Sequence, residues 1–364
     1  MKIVIISQNC YPWLSPRAHR TTELAKELAR RGHQVIVYAL LGEYDYSNIQ
    51  NKTGINFKNL GNSHFGITDN LGNSNRNFIY RLIRKLIGRF IEFPLIELIS
   101  MVNKSLKKED NIDYLITIAY PHTIHWGAEK YVRKNKDKIN FWIADCGDPF
   151  MGNPFLKKPF YFKSIEKKWC KACNYISVPI DEAVNAYYPE FKDKIKIIPQ
   201  GFDFSDIKIA EYRVNKIPTF AYSGIFYKEL RDPTLLLEYL SLLDFDFKFI
   251  VYTKSLSFLE PFKNKLKDKL EIRDYISRDK LLFELSKMDF LINIKNNSGV
   301  QQPSKLIDYV MTKRPIIEIS SEFKEKEIFN EFIRGDYSNR FNVNSIEKYD
   351  IKNVVNSFVN LYCK

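Results

Sequence analysis

The chain has 364 residues, 45% hydrophobic and 15% aromatic, which suits two domains rather than one ordinary core and excludes a low-complexity protein. Its 56 Lys and Arg against 43 Asp and Glu give a formal charge of +13, an excess that attracts nucleic acid, a lipid surface or phosphorylated small molecules without choosing among them. Five sparse cysteines, at 10, 146, 170, 173 and 363, argue against a disulfide framework and for a reducing compartment, and no window reaches the ~18 uninterrupted apolar residues of a spanning helix.

KIVIIS opens the chain as a short buried strand; its apolar run is too short for a signal peptide, so a cytoplasmic protein, at most peripheral on a membrane, is expected. YPWLSPRAHR is a loop with two prolines. TTELAKELARRG reads as a helix that shares Leu24 and Leu28 on one face and closes on Gly32 as a left-handed cap. HQVIVYAL is the next strand, and this alternation predicts a parallel sheet covered by helices. Residues 42 to about 75 read as loop with short strands. From Asn77 to Lys108 the pattern is helical and amphipathic, with Ile79, Leu82, Ile83 and Leu86 on one stripe, Arg81, Arg84, Lys85 and Arg89 on the other, and Pro94 as a break. Such a segment lies on an anionic membrane surface or packs as a surface helix pair, and the sequence leaves both open. DYLITIAY, INFWIADCGDPF and YISVPI are further strands. The lone CxxC of Cys170 and Cys173 reads as two half-buried thiols on one helix face rather than a zinc site.

IKIAEYRVNKIPT reads as the crossing between domains. Beyond it, FAYSGIF, FKFIVYT, LEIRDYIS, DFLINI and RPIIEIS are strands separated by helices in DPTLLLEYLSLL, RDKLLFELSKM and PSKLIDYVM. The expected architecture is α/β: two Rossmann-like open parallel-sheet domains, residues 1–198 and 199–345, facing a central cleft, with a C-terminal helix at 346–364 returning to the first.

Three constellations carry chemistry. In QQPSKLIDYV, Ser304 caps a helix whose free first-turn amides carry partial positive charge, and Lys305 adds a full charge where the dipole favours an acid. That placement is unfavourable unless an anion binds there, and Asp308 stands one turn in, within reach of a ribose diol. In FAYSGIFYKELRDP, Gly224 ends a strand, and Arg231 precedes a helix that starts near Asp232. A strand, a Gly turn, a cation and a helix make a diphosphate cradle without a Walker sequence. In AYPHTIHW with WIADCGDPF, His122, His125, Asp145 and Asp148 meet at adjacent strand ends, as metal ligands or as acid and base groups. His125, beside Trp126, reads as a packed helix residue, and His122 as the functional one. Asp244 and Asp246 in LDFDF suggest a metal motif but fall in a turn at the opposite end of the sheet.

In these motifs the chain resembles a GT-B glycosyltransferase of the family 4 type. YPWLSPRAHR with LAKELARRGHQVIVY is similar to the family's opening loop, helix and strand. AYPHTIH and WIADCGDPF resemble a subgroup with an Asp-x-x-Asp-Pro-Trp sequence, although Phe150 replaces the Trp. KIKIIPQGFD is similar to its strand and Asn-Gly-x-Asp turn. The family's Gly-Gly in the first loop is absent, and its Glu-(seven residues)-Glu pattern falls on Val300 and Asp308. The resemblance implies transfer of a sugar from a nucleotide-sugar donor to a carbohydrate or lipid-linked acceptor in surface polysaccharide biosynthesis, with retention. Arg231 and Lys305 would hold the diphosphate and Asp308 the ribose. His122 would face the donor sugar, Asp148 the acceptor, and Arg20 would help to close the cleft on phosphate. Neither a cofactor nor a metal is implied, since protein cations do what Mg²⁺ does in other transferases. A sugar-nucleotide 2-epimerase and a non-catalytic sugar-nucleotide-binding partner share the architecture. A nucleic-acid-binding protein would explain the charge but not these elements, and no nucleic acid is expected as a partner.

Overall fold

The computed structural model describes residues 1–13, 15–67, 87–154, 156–205, 207–228, 231–295, 304–342 and 345–363, with the side chains of 304 and 305 outside that description. The chain forms two compact units: Met1–Phe202 with Lys348–Lys364, and Asp203–Glu347.

The first unit holds a seven-stranded sheet in the order β3-β2-β1-β4-β5-β6-β7, and each neighbouring pair runs parallel. Its strands are β1 (Lys2–Ile6), β2 (Gln34–Ala39), β3 (Asn56–Asn59), β4 (Ile112–Ala119), β5 (Ile139–Cys146), β6 (Tyr175–Val178) and β7 (Ile195–Ile197). The central strands are buried on both faces, so β1 and β4 read as near-continuous Val, Ile and Leu instead of alternating. The order reverses between β1 and β4, and the loops leaving those two strands diverge there.

The first helix, Pro16–Arg30, starts on a Ser15 hydroxyl that accepts from the Ala18 amide, and Gly32 at φ 80° follows its end. The helix Glu97–Leu106 presses against Thr123–Val132 at Gly127, where a Cβ would lie 2.7 Å from Val102 Cβ. Leu98, Val102 and Leu106 are fully buried there, so the second half of the basic amphipathic segment belongs to the core. Residues 77–86 lie outside the described residues, while Ile87, Phe90 and Ile91 are exposed. The C-terminal helix, Ile351–Tyr362, buries Val354, Val355 and Phe358 beside Leu24 and Leu28 of the first helix. Gly201 makes room for it, since a Cβ there would meet Ile351 Cδ1 at 2.5 Å. The recurrent-looking PQGFD turn therefore has a packing reason.

The second unit has five parallel strands in the order β10-β9-β8-β11-β12: β8 (Thr219–Ser223), β9 (Lys248–Tyr252), β10 (Leu270–Arg273), β11 (Phe290–Ile294) and β12 (Ile316–Ile319). Here the order reverses between β8 and β11. The segment read as a crossing is clamped to this unit: the Ala210 amide donates to Ser286 Oγ, and the Tyr212 hydroxyl and Asn215 amides donate to Asp289. Asp244 and Asp246 are exposed in the connection to β9, as a turn requires.

Candidate functional site

In the second unit the residues picked out in the sequence gather at the carboxyl ends of β8 and β11, where the strand order reverses. Gly224 follows β8 at φ 142°, a conformation open to glycine, and its amide donates to Tyr252 O of β9 at 2.9 Å. The chain then forms a small antiparallel bridge between Tyr227 and Arg231, with reciprocal backbone bonds of 3.2 and 2.9 Å. This bridge delivers Arg231 just ahead of the helix Thr234–Ser241. Its guanidinium lies over the Tyr227 ring at 5.1 Å. Its Nε is buried without a hydrogen-bond partner, and no carboxylate pairs with it among the described residues. Tyr275, after β10, faces it, and the ammonium of Lys254, after β9, sits 5.3 Å from the Tyr275 ring. Burial raises the Tyr275 hydroxyl, with Tyr227 adding to the rise and the Arg231 charge opposing it.

The helix Ser304–Met311 follows β11. The helix is tied to β8 by Tyr309 in its second half, whose hydroxyl accepts from the Ser223 amide at 2.7 Å. The side chains of Ser304 and Lys305 lie outside the described residues. Asp308 does not stand open: Arg278 donates to its Oδ1 from Nε at 2.8 Å and from Nη2 at 2.7 Å. Burial raises its carboxyl above the usual range while Arg278 opposes the shift. A ribose contact at Asp308 would therefore share the carboxylate with Arg278.

In the first unit the second group lies at the ends of β1, β4 and β5. His122 precedes the helix Thr123–Val132 and is only 2% exposed. Its Nε2–H donates to Asp148 O at 3.0 Å, and its Nδ1 is buried with no partner. Burial pushes its imidazole down to about 4. His122 was expected to face the donor sugar; here it lies beneath Asp148 and is packed against Phe150 and Trp169. Asp148 itself is half-exposed. Arg20 was expected near phosphate and is instead 3% exposed. Its fork is spent on Asp145, at 2.8 and 3.1 Å, and on the carbonyls of Ile198 and Pro199. It is a tie between the first helix, β5 and the exit of β7.

Arg17, one turn earlier, is a half-buried cation at the carboxyl end of β5. It lies directly on Gly147, where any Cβ would overlap its guanidinium. Burial lowers its affinity for its proton, opposed by Asp145 and reinforced by Arg20. The reasoning applied to Lys305 would have found it, because LSPRAHR also puts a cation in a first helical turn that holds no acid. Tyr309, Arg278 and Lys254 gave no such signal, since each depends on which strands become neighbours.

His125 is fully buried against the Trp169 ring, as a packed helix residue should be. Its Nδ1 bonds Thr117 Oγ1 at 2.8 Å, and its Nε2 lies 3.3 Å from Cys146 Sγ. Cys170 and Cys173 are fully buried free thiols rather than half-buried ones.

Two parallel-sheet units of seven and five strands, each with a reversal of strand order, define the GT-B architecture. No protein-family model matches the chain, and no curated protein matches it by sequence. Among solved structures it is similar to a glycosyltransferase from Rickettsia africae ESF-5, at TM-score 0.63 and 14% identity, over 99% of this chain and 98% of that one. It is similar to HepE of Anabaena in complex with UDP-glucose, at TM-score 0.61 and 8% identity, over 99% and 98%. The UDP-GlcNAc 2-epimerase of Neisseria meningitidis, bound to UDP-GlcNAc, follows at TM-score 0.54 and 11% identity, over 100% of both chains.

Proposed function

We propose that the chain is a glycosyltransferase that moves a sugar from a nucleotide-sugar donor to a carbohydrate or lipid-linked acceptor of surface-polysaccharide type. The observation that carries this reading is Arg231: a cation with a buried, unpartnered Nε, set after Gly224 at the reversal of strand order. The residue is half-buried and its guanidinium meets the Tyr222 hydroxyl but no carboxylate among the described residues, so the site suits an anion supplied from outside. A nucleoside diphosphate leaves as a di- or trianion. Arg231, Lys254 and the first-turn amides of the Ser304–Met311 helix offset that charge as it develops. Protein cations thereby take the part that Mg²⁺ plays in other transferases, and Lys305 adds to them. Asp308, held by Arg278, orients the ribose. Asp148 and Arg17 of the first unit serve the acceptor, and transfer proceeds with retention, as the family resemblance implies.

A lipid-linked acceptor is supported by the surface of the first unit. Phe160 is 86% exposed and Phe90 51%. The Tyr161 hydroxyl donates to Phe90 O and joins the two segments, and exposed Arg89 and Lys157 flank them. Exposed rings with a basic rim fit the interface of an anionic membrane. Among the described residues, no helix is long and apolar enough to cross a membrane.

The test is a thermal-shift screen of UDP-, GDP-, ADP- and dTDP-sugars, followed by product analysis with and without glycan or lipid-linked acceptors. Stabilisation by one donor and acceptor-dependent release of nucleoside diphosphate are expected. Donor isomerised with no acceptor present would make the chain an epimerase, as the epimerase neighbour allows. Binding without turnover over every acceptor would make it a non-catalytic partner, and no binding to any sugar nucleotide would overturn the reading.

A further inference from the structure

At the carboxyl ends of β4 and β5 in the first unit, a cysteine meets two histidines of the following helix. His122 and His125 sit at the start of one helix. Cys146 ends β5, and parallel pairing sets it opposite Ala119 at the end of β4. The ring nitrogens and the sulfur all lie within 4.8 Å of one another, and all three residues are 2% exposed or less. The His125 Nε2 to Cys146 Sγ separation is 3.3 Å. Two donors on one tetrahedral zinc, at the usual bond lengths, stand roughly 3.6 Å apart, so this pair needs only a few tenths of an ångström.

A second, independent observation points the same way. The Nε2–H of His122 is committed to the Asp148 carbonyl, which leaves Nδ1 as a bare lone pair. That atom is buried and has no partner. Hydrophobic packing does not account for an acceptor left dry, because such a group costs about 1–3 kcal/mol. The Tyr187 hydroxyl lies beside the same Cys146 thiol. The outer contacts suit a ligand set. Thr117 Oγ1 touches His125 Nδ1 at 2.8 Å and accepts from Trp142 Nε1 at 2.8 Å, so a hydroxyl of fixed position orients the imidazole.

We propose that His122 Nδ1, His125 Nε2 and Cys146 Sγ supply three ligands of a site for a thiophilic divalent cation of the zinc type, with a water in the fourth tetrahedral position. Two imidazoles and one thiolate select such a metal over magnesium or calcium, which take oxygen ligands. Binding forms one metal–sulfur and two metal–nitrogen bonds. The Cys146 thiol loses its proton to solvent, and neutral His125 keeps its proton on Nδ1, hydrogen-bonded to Thr117 Oγ1. One proton is released per cation bound. The metal would fix the Tyr120–Asp148 region from beneath, and it touches no reacting atom.

The full chain, purified without chelators or affinity metals, is assayed for bound zinc and then titrated with Co²⁺ after stripping. About one equivalent of metal is expected, with a near-ultraviolet thiolate-to-cobalt charge-transfer band and tetrahedral visible bands. Cys146→Ser should abolish the charge-transfer band, while Cys170→Ser and Cys173→Ser keep it. Folded wild type that holds no zinc and gives no cobalt band overturns the proposal without any variant. A band that survives in Cys146→Ser overturns the ligand assignment. Neither result depends on sugar-nucleotide binding, so this proposal and the transferase reading fail separately.

Discussion

Replacing Arg20 with Ala tests whether this arginine serves the fold or the substrate. Both partners of the Arg20–Asp145 pair are 3% exposed. Asp145 Oδ1 accepts from Arg20 Nη2 at 2.8 Å and from Ser177 Oγ at 2.7 Å, and Oδ2 accepts from Arg20 Nε at 3.1 Å. Truncation leaves the carboxylate with the Ser177 hydrogen bond and the more distant Arg17 charge, and strips a donor from the Ile198 and Pro199 carbonyls. Breaking a buried pair from one side costs about 3–5 kcal/mol. Urea unfolding followed by fluorescence is the assay, since Trp142 and Trp169 are buried in the first unit. Two units need not unfold as one, so the transition of the first should fall by that amount while the second stays put. Arg20→Met with Asp145→Asn should recover part of the loss, as coupled sites do. Unchanged stability together with weakened donor binding would refute the structural role and return Arg20 to the phosphate.

Arg231→Ala should lower kcat/KM about 30- to 900-fold, the equivalent of roughly 2–4 kcal/mol of lost charge stabilisation, with the fold intact; wild-type turnover would remove the cradle. Glu166 is fully buried, and burial lifts its carboxyl to about 7 against the opposing hydrogen bonds from Tyr188 and Met151. The folded state therefore holds a proton that the unfolded chain releases near 4.5, so stability should fall by about 3 kcal/mol as pH rises from about 4.5 to about 7. Glu166→Gln should flatten that slope in pH-dependent unfolding, and an unchanged slope would assign it to other groups. Gly127→Ala forces a Cβ to within 2.9 Å of Ile99 O and should cost about 1–3 kcal/mol by denaturation, whereas a neutral result would mean that the two helices separate freely. Phe160→Ser should weaken binding to anionic vesicles about tenfold, from roughly 1.5 kcal/mol per inserted ring, and added salt should weaken it further. Vesicle binding that ignores both would exclude this surface.

Period and composition carried most of the fold. The largely apolar, buried runs of β1, β4, β5 and β11 do not alternate because parallel strands are covered on both faces. The helix Ser47–Thr53 was hidden in a polar stretch that buries none of its residues, and Lys326–Ile333 gave no cap signal. The candidate site was half legible. Gly224 and Arg231 stand in one short strand–turn–helix, where local spacing is informative. The Arg278–Asp308 pair spans 30 residues, and the Arg20–Asp145 pair spans 125. Such partners are chosen by strand order, which periodicity does not encode. Cys146 joined two histidines for the same reason, through the register that aligns it with Ala119.

A crystal structure of the chain with bound nucleotide sugar tests the central claim most directly. The diphosphate is expected within hydrogen-bonding distance of the Arg231 guanidinium, beside Gly224 and the first-turn amides at Ser304. Phosphates bound away from Arg231, on any other part of the chain, would contradict it.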